Sequence, residues 1–107
     1  MSIKDIVMIS QPIQGLTDRE IKDVREEAEK YLEEKGYEIL NTYMPDLYDN
    51  IDNPSIYRKS LYILSKSIEA MSKCDSVYFC KGWENYRGCV IENEIAKKYG
   101  LEVLYQK

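Results

Sequence analysis

The chain predicts an α/β domain built on a doubly wound, all-parallel sheet of four strands in the order 2-1-3-4. Short apolar runs of strand length alternate with longer segments of helical periodicity, and such alternation implies parallel strands joined by right-handed crossovers. The first run, residues 5–10 (DIVMIS), is apolar almost throughout, as in a strand buried on both faces of a parallel sheet. Turn and cap signals separate the runs at the expected places.

The elements follow in order. After the first strand, Gln11-Pro12-Ile13-Gln14-Gly15-Leu16 carries proline and glycine and is predicted to be a loop. Thr17 and Glu20 form a capping box, and Ile21, Val24, Ala28 and Leu32 then recur at helical spacing. The charges between them read as a solvated face. Gly36 is the predicted left-handed stop, and residues 37–40 (YEIL) form the second strand. Residues 41–55 read as a long loop in which Tyr43, Asp46 and Tyr48 could form a lid. Asn53-Pro54 fits the start of a helix whose apolar face is Tyr57, Leu61, Leu64, Ile68 and Met71, stopping near Lys73. Residues 76–80 are the third strand and 81–88 a polar turn. A helix from about Cys89 to Tyr99, ended by Gly100, precedes the last strand, 101–105.

Composition narrows the function. The chain has 107 residues, a single domain over 1–107, with no histidine and a net charge of −4. Without imidazole, Ser-His-Asp and Cys-His catalysis are excluded, as are most catalytic zinc sites, and no metal or cofactor is expected. The acidic balance argues against nucleic acid as a partner. No window approaches the ~20 apolar residues of a membrane span, and the N-terminus lacks a signal-peptide pattern. Cys74, Cys80 and Cys89 are odd in number without metal spacing, so they read as reduced thiols of a cytoplasmic protein. So small a core makes further burial in a homo-oligomer an expectation.

The strand order places a switch point between the first and third strands, and ligands of such sheets sit beyond the strands' carboxyl ends there. Two loops meet at that place. One, after the third strand, holds Gly82, Trp83, Glu84, Asn85, Tyr86, Arg87 and Gly88. Its glycines and Arg87 suit an anion, while Trp83 and Tyr86 could stack on a base or pack over the sheet edge. Glu92 follows in the first turn of the next helix. With Ile95, Ala96 and Tyr99 it falls on the inward side, where the helix N-terminus favours its ionised form. Such a carboxylate suits attack on, or stabilisation of, a sugar's oxocarbenium-like carbon, and equally a plain helix N-terminal glutamate. The facing loop brings Ser10, Gln11, Pro12 and Gly15. Asp75 begins the third strand at the opposite end, is discounted as a catalyst, and is expected to serve a turn or to cap the preceding helix.

Longer segments carry a family resemblance. Residues 6–15, IVMISQPIQG, resemble the "YISGPITG" opening of the nucleoside 2-deoxyribosyltransferase superfamily, in its short phage and bacterial branch of unknown function. GYEILN at 36–41 resembles "GYEVVNP". CDSVYFCKGWENYRGC at 74–89, with ENEIA at 92–96, resembles "CDAIYFLPGWENSRGA..E..IA". The resemblance implies a flavodoxin-like, Rossmann-like fold. It also implies a nucleoside, nucleotide or sugar-phosphate ligand, pockets often completed across subunits, and Glu92 as the nucleophile that displaces a base from the anomeric carbon. Four positions depart from the pattern. The usual tyrosine falls on Met8, and the usual glycine on Gln11, whose side chain is expected to enter the crevice. An assisting aspartate falls on Ser67, and a phosphate-binding serine on Tyr86. Two functions therefore stand side by side. One is cleavage or transfer of an N-glycosidic bond. The other is non-catalytic sequestration of an ADP-ribose-like signalling nucleotide, as by a phage anti-defence protein.

Overall fold

The computed structural model describes residues 5–40 and 58–107. The expected loop over 41–55, the Asn53-Pro54 helix start and Tyr57 lie outside these residues. Within them the order is β1 (Ile6–Ser10), α1 (Asp18–Glu34), β2 (Glu38–Leu40), α2 (Lys59–Met71), β3 (Ser76–Phe79), a 3-10 turn (Trp83–Asn85), α3 (Arg87–Lys98) and β4 (Glu102–Tyr105). The described strands form one parallel sheet in the order β2-β1-β3-β4, as the sequence predicts. Val7 pairs with Ile39 on one side of β1, and Ser10 with Phe79 on the other.

Because side chains alternate along each strand, the two faces build two cores. Val7, Ile9, Tyr78 and Cys80 pack against Ala28 and Leu32 of α1. Met8, Val77 and Phe79 pack against Met71 of α2 and Ala96 of α3. Every residue of β3 is buried, so the strand needs apolar side chains on both sides; each full burial of this kind contributes about 1.5–3 kcal/mol.

Local signals act where expected at α1. The Thr17 hydroxyl accepts from the Glu20 N–H at 3.1 Å, and the Glu20 carboxylate accepts from the Thr17 N–H at 3.2 Å. Gly36, at φ +91, ends the helix, with its N–H on Glu33 O and the Tyr37 N–H on Leu32 O. At the sheet's far end the Asp75 carboxylate accepts from the Ile6 N–H at 2.9 Å. Asp75 therefore ties β1 to the start of β3 rather than capping α2.

Four further expectations are corrected. α3 begins at Arg87, two residues early, because Gly88 has helical backbone and does not break it. Tyr99 is 81% exposed rather than inward, since it is the C-cap, where helical periodicity ends. On α2 the apolar stripe is a flank, with Leu61 and Ile68 exposed; Ala70, Met71 and, just beyond the helix, Cys74 pack on the sheet. On α1, Arg25 is buried within the run of charges read as solvated.

Candidate functional site

β1 and β3 lie side by side and end together, with the Cys80 N–H donating to Ser10 O at 3.0 Å. Beyond them the two loops that follow come into contact. Gly82, at φ +89, is the position where the β3 loop turns, and a Cβ placed on it would lie 3.9 Å from Pro12 Cγ. A crevice of about 600 Å³ opens there, lined by Gln14 of one loop and Asn85, Tyr86 and Arg87 of the other. It occupies the switch point. A second concavity, of about 580 Å³, lies over β4 and α1 among Tyr31, Tyr37, Tyr78 and Leu104, and holds none of the predicted site residues.

α3 turns Cys89, Glu92, Asn93 and Ala96 inward, one face at spacings of three and four. Glu92 is only 7% exposed, and the Ser10 hydroxyl donates to its Oε2 at 3.1 Å. The Ser67 hydroxyl of α2 lies on the same side and favours the charged form of this carboxylate. Three elements thus converge on one carboxyl. Burial pushes its pKa from 4.5 up to about 7, against the two hydroxyls, which hold it down. The expected ionisation by the helix N-terminus is overridden for a geometric reason. With α3 starting at Arg87, Glu92 is in the second turn, beyond the reach of the end charges. A carboxyl held well above the ordinary carboxylate range by burial, at the end of two strands, is a candidate for chemistry.

The remaining predicted residues divide. Ser10 is buried and engaged with Glu92, so it supports the carboxylate. Asn85, Tyr86 and Arg87 line the crevice, while Pro12 and Gly82 face each other between the two loops and are not among its lining residues. Gly15 in the first loop, Glu84 in the 3-10 turn and Gly88 in the first turn of α3 are exposed. Gln11 does not enter the crevice: its Nε2 donates to Ile21 O at 3.0 Å and its Oε1 accepts from Arg25 at 3.1 Å. Trp83 is half-buried, its ring stacked on Tyr105 with centroids 5.6 Å apart and tilted against Phe79 at 5.4 Å, at the margin of the core. The Tyr105 hydroxyl in turn accepts from Asn93 at 3.1 Å.

Sequence reasoning named Ser67 only as a departure from a pattern, yet its hydroxyl favours the charged form of the central carboxylate. It passed over Cys89, whose thiol is also close to Ser10 and is pushed up to about 11 by burial. All three cysteines are free. Among the described residues no cluster of three or more His, Cys, Asp or Glu is placed to hold a metal ion. No helix among them is long and apolar enough to cross a membrane.

No curated protein and no solved structure matches the chain. The family model described as Domain of unknown function (DUF4406) matches residues 5–105, nearly the whole sequence, and the chain belongs to that family.

Proposed function

We propose that the crevice binds a nucleoside or nucleotide and that Glu92 attacks its anomeric carbon. The observation that carries this reading is the Ser10–Glu92 pair: a buried carboxyl, with a fixed hydroxyl donor, at the switch point of a parallel sheet. The resemblance of residues 6–15 and 74–96 to the 2-deoxyribosyltransferases supports the same chemistry.

In the first step a Glu92 oxygen forms a bond to the anomeric carbon as the bond from that carbon to the base nitrogen breaks. The electron pair leaves with the base, which takes a proton from water. A water molecule or a second base then attacks the same carbon, giving up a proton to the hydroxide left by the first step, and Glu92 departs as a carboxylate. Ser10 and Ser67 hold the carboxylate for attack. Arg87, Asn85, Tyr86 and Gln14 surround the rest of the ligand, with Arg87 supplying positive charge for a phosphate. A second copy of the chain would close the outer side.

One observation favours the alternative. The side chain facing Glu92 from α2 is the hydroxyl of Ser67, which cannot protonate a departing base as a carboxylic acid would. Under this reading Glu92 accepts hydrogen bonds from ribose hydroxyls, and an ADP-ribose-like ligand is held intact. Mass spectrometry of small molecules freed by heating protein purified from cells separates the two. Free base and sugar support glycosidic cleavage; an intact nucleotide in stoichiometric amount overturns it in favour of sequestration.

A further inference from the structure

Two buried polar side chains lie behind the crevice and take no part in the chemistry above. Arg25 is 6% exposed and Gln11 7%. Arg25 Nη1 donates to Gln11 Oε1 at 3.1 Å, and Gln11 Nε2 donates to Ile21 O at 3.0 Å. Both ends of the amide are therefore committed to α1. Arg25 Nε also lies 3.9 Å from Glu29 Oε1. Burying a guanidinium is costly, and the Nη1–Gln11 hydrogen bond offsets part of that cost, which favours keeping the contact.

Gln11 is the chain neighbour of two residues that matter. On one side is Ser10, whose hydroxyl binds Glu92. On the other is Pro12, which meets the β3 loop at Gly82. A shift of Gln11 moves both.

We propose that Arg25 and Gln11 form a strut that sets the loop after β1, making Arg25 a positioning residue for Glu92 and the crevice wall, through Ser10 and Pro12. The role of Glu92 in catalysis rests on the function proposed above, but the strut itself is testable without turnover. Ser10 from β1, Ser67 from α2 and Cys89 from its own helix are the groups that meet Glu92. Arg25 is not among them, and its path to Glu92 runs by way of the loop.

The test is the carboxyl titration of Glu92, followed by NMR on the full chain labelled with carboxyl-13C glutamate and assigned against Glu92→Gln. Gln11→Met and Arg25→Met keep much of the side-chain volume and remove the contact. Each is expected to raise the Glu92 midpoint by ~0.5 unit or more as the Ser10 hydroxyl slackens. The double variant should shift it no further than the larger single, because both act through one contact. Arg25→Lys, which keeps a cationic donor, should recover at least half of the shift. Unchanged midpoints in the singles, or shifts that add in the double, overturn the strut. If Arg25→Met does not fold, Gln11→Met and Arg25→Lys decide by the same criterion. A shifted midpoint in a protein that releases no base would sustain the strut and overturn the chemistry, so the two failures are distinguishable.

Discussion

Ser10 and Glu92 stand 82 positions apart in the chain, and the hydroxyl of one donates to the carboxylate of the other at 3.1 Å. The bond exists because β1 and β3 end side by side and α3 turns its inner face back over them. It makes Ser10 a support for the Glu92 carboxyl. Ser10→Ala removes a charge-assisted donor and leaves a buried carboxylate less satisfied, at a cost of about 1–3 kcal/mol to its ionised form. The titration of Glu92 should move further above its wild-type position of about 7, measurable by carboxyl NMR. Any base-releasing activity should fall, with its pH profile displaced to higher pH.

Stability should carry the signature of Glu92 as well. Its folded pKa, about 7, is above the ordinary 4.5, so the folded state binds more protons than the unfolded state between those values. Stability from this group is therefore greatest below about pH 4.5, falls as pH rises towards 7, and is level above that. The ionised carboxylate costs up to about 3 kcal/mol. Glu92→Gln should lose this slope and be more stable than the wild type at pH 8, as read from urea unfolding at several pH values.

Trp83 is the only tryptophan and a tempting base-stacking residue, yet its neighbours are Phe79 and Tyr105. Trp83→Ala should therefore destabilise the fold by about 1–3 kcal/mol, since it strips the cover from one end of a core. Thermal unfolding by circular dichroism checks this. A ligand-stacking tryptophan on the surface would leave the melting temperature almost unmoved.

Gly82 turns the β3 loop at φ +89. Gly82→Ala should cost about 1–2 kcal/mol through backbone strain, not through collision, because the nearest atom to the added methyl is Pro12 Cγ at 3.9 Å. Urea midpoints of the two proteins measure the difference.

Topology was legible because each strand is a short apolar run and each boundary carries local chemistry. The Thr17–Glu20 box and Gly36 act within a few residues of themselves, so sequence alone places them. What sequence missed depends on distant partners. Gln11 reads as a crevice residue and Arg25 as a surface charge, and their meeting across the loop buries both. Asp75 finds its partner in Ile6, 69 positions away. On α2, periodicity marked the large apolar residues, whereas the sheet takes the smaller Ala70 and Cys74, with Met71. At the site, Glu92 and both loops were legible from spacing and topology. Its raised pKa was not, because burial is a property of the packed helix and not of the helix end.

The most direct measurement is release of free base from a panel of nucleosides, nucleotides and ADP-ribose at pH 8, by wild-type protein and by Glu92→Gln. The wild type should release base from at least one of them. Glu92→Gln, folded by circular dichroism, should lose that rate by orders of magnitude. Base release at an unchanged rate by Glu92→Gln, or none from any compound by a wild type that retains one of them intact, would contradict nucleophilic attack by Glu92.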